Sequence, residues 1–397
     1  MTSQDRVADP AKALAAARHL AGALATRAAE HDRQGCFPKA DFDDLRAAGL
    51  LSLMVPARLG GPGAGFQDYA EVAMALAAGN GATALIYNMH ASVTGALAGT
   101  PDELARALGV PESYFEMRDR VLTNALHGSL YAVAMSERGA GSRLSQLTTS
   151  YEPVGGGYRI RGSKTFVSAA GHADGYLVAA RRADADPPVF SHFIVPAGPG
   201  LRVEETWDSL GMRATGSNEL HIDTTVPEDA LLGGMEGLVL LLAQVMPQWL
   251  VASYAAVYVG VAQSAIDAAV AHAGDRALAR LPAVRARLGR ADAAVAAARL
   301  AVLEAAGRID RAPGEPETNR WVWRAKLLAG QTAMDVAASM LEAAGTSASR
   351  RGHPLERIFR DARCGSLQPA TSDVCADWLG MATLGLDPEN AAEVSRW

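Results

Sequence analysis

Two short segments hold most of the side chains able to do chemistry: Met135-Ser-Glu-Arg-Gly-Ala-Gly-Ser-Arg143 and Lys164-Thr-Phe-Val-Ser-Ala-Ala-Gly171. In the first, Gly139 and Gly141 lack a Cβ, so backbone N–H groups there can approach a ligand closely. In the second, an aromatic, Phe166, precedes a hydroxyl, Ser168. Read singly, Phe166 is equally a sheet-core residue and Ser168 a strand-end cap. His90, in Asn88-Met-His90, lies on an apolar helical stretch, where a lone histidine is more often a hydrogen-bonded core residue than a catalyst. Gly60-Gly-Pro-Gly-Ala-Gly65 has neither the Lys-Ser/Thr of a P-loop nor the strand-then-helix unit of a dinucleotide fold, which leaves a tight turn between helices.

The elements that must position these residues fall into three lengths of chain. Helical periodicity and good helix formers predict helices over Ala11–His31, Lys39–Ala48, Phe66–Ala78, Thr83–Leu97, Glu103–Leu108 and Tyr114–Leu130. Short runs bounded by Gly, Asp or Ser then predict strands at Tyr131–Met135, Tyr158–Gly162, Lys164–Ser168, Tyr176–Ala180, Phe193–Pro196, Leu201–Trp207 and Glu219–Asp223. No helix-length pattern separates them, which argues for an antiparallel sheet rather than βαβ units. Alanine-rich helices return at Met235–Gln244, Gln248–Ala273, Ala283–Ile309, Glu317–Ala344 and Thr371–Thr383, long enough for a four-helix bundle. The expected fold is α+β multidomain: a helical N-terminal domain over 1–130, an antiparallel β middle domain over 131–234 and a helical-bundle C-terminal domain over 235–397.

With 397 residues, the chain exceeds what one hydrophobic core usually serves. Its net charge is −6 and no basic run stands out, which argues against a nucleic-acid partner. Cys36, Cys364 and Cys375 form an odd set without CxxC spacing, as suits reduced thiols in a cytoplasmic protein and not a zinc site. The first ten residues carry an early acid and no apolar core, so no signal peptide is expected. Gly237–Ile266 has no charged side chain and is long enough to cross a bilayer, but Pro247 interrupts it and no basic flank orients it. Two buried helices, and no membrane span, are expected there.

The motifs also occur in a recognisable order. Ser136-Glu-Arg-Gly-Ala-Gly-Ser142, Gly162-Ser-Lys-Thr-Phe-Val-Ser168, Trp207-Asp-Ser-Leu-Gly-Met-Arg-Ala-Thr-Gly-Ser217 with Val226-Pro227, and Pro354-Leu-Glu-Arg-Ile-Phe-Arg-Asp-Ala-Arg363 resemble those of the acyl-CoA dehydrogenase superfamily across nearly the whole chain. The resemblance implies a flavin, FAD first and FMN if the protein is a monooxygenase. Met135 and Ser136 would line the pyrimidine side of the ring, and Phe166 and Ser168 would cover it and bond its edge. Arg276, Gly345 and Thr371 fall at further cofactor positions, although Asp275-Arg276-Ala-Leu-Ala-Arg-Leu-Pro282 lacks the family's Phe and Ala344-Gly-Thr-Ser-Ala348 is a reduced glycine segment. Ser142 matches the residue that meets the acyl carrier's phosphate, and Arg143 replaces an acid common beside it. Arg213 would tie its loop to a neighbouring helix. A homodimer or homotetramer is implied, with acyl-CoA or acyl carrier protein thioesters as substrates and an electron acceptor or flavin reductase as redox partner.

The sequence departs from the family at the base. The usual Glu aligns with Pro369, and the alternative position falls at Trp249 or Leu250, none of which accepts a proton. Three readings follow. One is α,β-dehydrogenation of an acyl thioester with a relocated base, Asp373 being the nearest carboxylate. Another is monooxygenation with reduced flavin and O2, in which His90 or Asn124 serves the oxygen-transfer step. The last is a non-catalytic flavin-binding relative. Dehydrogenation is the first expectation on family frequency.

Overall fold

A computed structural model describes residues 9–141, 143–238, 246–274 and 277–388. The chain opens with α1 (Pro10–Gln34), whose start is set by the Asp9 side chain accepting from Lys12 N and whose end is set by Gly35 in the left-handed region. These caps carry the helix beyond the periodic stretch on both sides. After α2 (Lys39–Ala47), the helices α3 (Phe66–Gly79) and α4 (Gly81–Gly99) share Asn80, which closes the first and caps the second by accepting from Ala82 N. Two further helices, α5 (Asp102–Ala107) and α6 (Glu112–Leu126), lead into the sheet.

The middle of the chain forms one seven-stranded sheet: β1 (Tyr131–Ala134), β2 (Ser150–Val154), β3 (Gly157–Val167), β4 (Gly175–Arg182), β5 (Phe190–Pro196), β6 (Leu201–Glu204) and β7 (Asn218–Pro227). Pairing is antiparallel for β2–β3, β3–β7, β4–β5 and β6–β7, as the run of short strands implies. Two pairings, β1–β4 and β2–β4, are parallel. They join strands distant in sequence, which local pattern does not reveal. The stretch read as two strands is the single strand β3, because Gly162 continues it where a Cβ would lie 2.4 Å from Thr149 Oγ1. Strand β2 escapes sequence reading because it carries Pro153 and polar residues. Pairing to β4 involves only Ser150 and Tyr151, so the missing N–H of Pro153 leaves no gap in that ladder.

Beyond the sheet, α7 (Ala252–Gly274), α8 (Pro282–Arg311) and α9 (Pro316–Ala344) are long helices, with the shorter α10 (Pro354–Arg363) and α11 (Ser372–Thr383) packed on α9. Most of the expected helix Met235–Gln244 lies outside the described residues. From Pro247 onward the charge-free segment is a turn of 3₁₀ helix (Pro247–Trp249) followed by α7, and this part is mostly buried inside the fold. Helices from both ends of the chain share one core that includes Leu24, Phe42, Tyr69, Leu85, Val259 and Trp323. At Gly260 a Cβ would fall 2.4 Å from Met74 O, so this glycine is what lets α7 lie against α3.

The motif at 354–363 is a clamp between the three lengths of chain. Arg360 on α10 donates to both carboxylate oxygens of Asp32 on α1 at 3.0 and 2.6 Å and to Leu210 O at 2.9 Å. Its neighbour Asp361 accepts from Met212 N at 2.6 Å. Arg213 donates to Asp32 O, the helix contact expected for it.

Candidate functional site

The loop after β1 is a tight turn in which Glu137 and Gly141 exchange both backbone hydrogen bonds at 2.9 Å. Gly139 and Gly141 adopt φ of 80° and 61°, so the turn needs glycine at both places, and a Cβ at either would point into open space. Strand β3 holds this loop from the side. Thr165 N donates to Ser136 O at 2.9 Å, joining the two chemistry-bearing segments by a main-chain bond. Lys164 Nζ donates to Glu137 Oε1 at 2.8 Å and to Met135 O at 3.2 Å, and both side chains are buried.

Glu137 also accepts from Thr148 N and Oγ1 and from Thr149 N. Burial alone would raise its pKa, but the charge of Lys164 and these hydrogen bonds outweigh burial and hold the carboxyl at about 2. Burial draws Lys164 down to about 8 against the attraction of Glu137. Sequence reading quoted both residues inside the motifs and gave neither a role. The signal was there: an acid and a base in two segments that also carry the ligand-facing groups.

At the end of β3 the register with β7 shifts between Lys164 and Val167, and Phe166 stands in this bulge with φ of 58°. A left-handed phenylalanine is unfavourable, and here it leaves the ring 61% exposed, edge-on to Trp207 at 6.0 Å. Ser168 turns inward instead and meets Ser217 Oγ at 2.9 Å, which in turn meets Thr215 Oγ1 at 2.7 Å. An exposed Phe166 ring edge-on to the half-buried Trp207, beside a glycine turn with open space where its Cβ atoms would be, fits a flat heteroaromatic cofactor. Met135, Ser136 and Phe166 could hold such a group; Ser168 is engaged in the hydroxyl chain behind them.

Next to Met135 lies a cavity of about 130 Å³ between the sheet and the helices, whose walls include Ser92, Val93, Leu177, Ile194, Trp249 and Leu250. The register explains its floor. Ile194, Leu177 and Val133 are partners across β5, β4 and β1, and their side chains face the helices, while Phe193, Val178 and Ala134 alternate into the sheet's own core. Trp249 forms the opposite wall, within 5.2 Å of Phe66 and Tyr69. It can lie there because Gly95 on α4 has no side chain: a Cβ would sit 2.1 Å from the indole. Ser92 Oγ donates to Trp249 O at 3.0 Å and fixes the turn.

The structure therefore brings Met135, Trp249 and Leu250 to one cavity. The other predicted residues that are described lie outside its wall. His90 is buried, accepts Tyr131 N at Nδ1 (3.1 Å) and so carries its proton on Nε2, which donates to Leu51 O at 2.7 Å. Burial pushes it down to about 4, and with both nitrogens taken by the backbone it is a strut between α4, β1 and the 3₁₀ turn at Leu50–Ser52, with no free atom for catalysis. Asn124 is exposed at the end of α6, its carbonyl accepting from His127 and Ser129. Asp373 is exposed in the first turn of α11, where Thr371 is the cap that accepts from Val374 N. Neither Asp373 nor Pro369 is in the cavity wall.

The Pro369 segment is instead gripped from behind by the buried Lys326, which donates to Gly365 O, Gln368 O and Ala370 O and is drawn down to about 8 by burial. Gly345 and Arg143 are on the surface; Ser142 and Arg276 lie outside the described residues.

Three family models match in order along the chain. They are the acyl-CoA dehydrogenase N-terminal domain over residues 11–109, the middle domain over 132–225 and the C-terminal domain over 252–371. The chain is 32% identical over 392 residues to the L-evernosamine nitrososynthase of a Micromonospora species, covering 92% of this chain and 88% of that protein. It is 31% identical over 360 residues to the putative acyl-CoA dehydrogenase YdbM of Bacillus subtilis, covering 87% and 90%. Among solved structures it is similar to TdsC of Paenibacillus sp. A11-2, a dibenzothiophene monooxygenase, in its complex with FMN and indole. That likeness has a TM-score of 0.82 at 25% identity and covers 94% of this chain and 97% of that one.

Proposed function

The chain belongs to the acyl-CoA dehydrogenase family, and from that premise we propose that it is a flavin-dependent monooxygenase, supplied with reduced flavin by a reductase, that acts on a compact substrate held in the Met135–Trp249 cavity. One observation carries this reading over dehydrogenation. The family resemblance implies a carboxylate as the base that removes the α-proton, and no Asp or Glu is among the described residues of the cavity wall. The adjoining 239–245 stretch is Val-Leu-Leu-Leu-Ala-Gln-Val, which adds none. The likenesses to a nitrososynthase and to TdsC support the same choice.

Bound reduced flavin would supply the two electrons that split O2 between a hydroxylated product and water. The rest falls to the chain. Met135, Ser136 and Phe166 would hold the ring. Trp249, Leu250 and Val93 keep water from the reacting atoms, which limits wasteful loss of the activated oxygen. Lys164, through Met135 O and Glu137, keeps the first loop in place.

The test mixes the protein with FMN reduced by NADH and a general flavin reductase, indole and ¹⁸O₂, and reads the product by mass spectrometry. One labelled oxygen in the product is expected. Anaerobic bleaching of the oxidised flavin by butyryl-CoA, with no oxygenation of any ring compound, would overturn the proposal in favour of dehydrogenation.

A further inference from the structure

On the cavity floor, one side chain breaks the apolar pattern. His192 on β5 pairs in register with Ala179, on the face that carries Ile194 and Leu177 toward the helices. Alternation along the strand therefore puts an imidazole where an aliphatic residue would complete the wall. It is 2% exposed, and neither Nδ1 nor Nε2 has a hydrogen-bond partner among the described residues. Both predicted strand and motif passed over this residue.

A buried polar group without a partner is destabilising, and native structures usually satisfy such groups. The described surroundings do not do so. Among the polar neighbours in the wall, Ser92 donates to Trp249 O and Thr100 to Ala96 O, and neither they nor Gln248 bonds the imidazole. Burial, reinforced by the charge of Lys164, draws His192 down to about 4, so at neutral pH it is an uncharged ring with one N–H and one lone pair. Such a ring suits a neutral partner and not a carboxylate or phosphate.

The volume sets the size of that partner. A cavity of about 130 Å³ is close to the roughly 150 Å³ engineered cavity that accepts benzene, so a small ring compound fits. We propose that His192 is the recognition residue of this cavity, hydrogen-bonding the single neutral polar atom, a ring N–H or a hydroxyl, of an otherwise apolar ring substrate. The proposal rests on the reading that this cavity holds substrate, and its test is one of binding alone, so that the two can fail separately.

The experiment uses the FMN-loaded, oxidised protein without reductant. Indole is compared by calorimetry with indene, which has the same two-ring outline but a CH₂ in place of the N–H. The wild type is expected to bind indole about three- to tenfold more tightly. His192→Leu should bind both rings alike, at about the affinity of the wild type for indene, and His192→Gln, which keeps a donor and an acceptor, should restore part of the preference.

Equal affinity for the two rings in the wild type would overturn the proposal, because a cavity water would then be satisfying the imidazole. A preference unchanged in His192→Leu, or no binding of either ring, would overturn it as well. Should His192→Leu fail to fold, the wild type and His192→Gln still decide. A preserved indole preference without any oxygenated product would leave His192 as the recognition residue and remove only the monooxygenase reading.

Discussion

Lys164 and Glu137 meet at 2.8 Å as a buried ion pair, and the same Lys164 Nζ reaches Met135 O, so one side chain on β3 holds the loop that carries the ligand-facing groups. Removing one member strands the other in the interior, which costs about 3–5 kcal/mol where such pairs have been broken. Lys164→Met is expected to lower stability by that order and to reduce flavin content. Urea denaturation and the visible absorbance of the purified protein check both. The double substitution Lys164→Met with Glu137→Gln should recover part of the loss.

The pair also sets a pH dependence. Because Glu137 is held at about 2, below its unfolded value near 4.5, its contribution to stability is fully present above about 4.5 and is lost as pH falls toward 2. Acid titration of the folded fraction should show a shallower decline over this window in Glu137→Gln than in the wild type. Parallel curves would mean that the carboxyl is not so held.

Phe166 is both exposed and left-handed, so it serves the fold little. Phe166→Ala should leave the melting temperature of the flavin-free protein within a few degrees and weaken FMN about two- to tenfold, the range expected for one stacking contact of about 0.5–1.5 kcal/mol. Phe166→Gly should be at least as stable as Phe166→Ala, since glycine accepts φ of 58° without strain. Calorimetry and flavin titration separate the two effects.

His90 offers a contrast between support and catalysis. Its replacement by Ala leaves the Tyr131 N–H and Leu51 carbonyl unpaired in the core, so about 2–4 kcal/mol of stability should be lost. Turnover per folded molecule should fall by much less than the 10²- to 10⁴-fold that loss of a proton-transfer group brings. Rates normalised to active sites by flavin content decide the matter.

Arg360 and Asp32 tie α10 to α1, and Arg360 reaches Leu210 beyond β6 as well. A double-mutant cycle with Arg360→Ala and Asp32→Ala should return a coupling of about 1–3 kcal/mol, because the bidentate pair is largely shielded from water. A coupling near zero would reduce the clamp to a solvated surface pair.

Much of the architecture was legible in the residues alone. Helix caps, periodicity and turn glycines mark where α1, α3, α8 and α9 run, and the ordered motifs identify the family, because local propensity and short spacings are properties of contiguous sequence. His90 was not legible as a strut, since its two partners lie 39 and 41 residues away in sequence. The parallel pairing of β1 with β4, and of β4 with β5 in antiparallel register, is what turns His192 and Leu177 toward Trp249. Sequence by itself determined the family and most of the elements, because both follow from motifs and periodicity within contiguous sequence. Only the tertiary structure decided that an unpartnered imidazole faces an apolar cavity beside Met135, because that meeting depends on strand register and on the missing Cβ of Gly95, and neither is encoded near the residues it brings together.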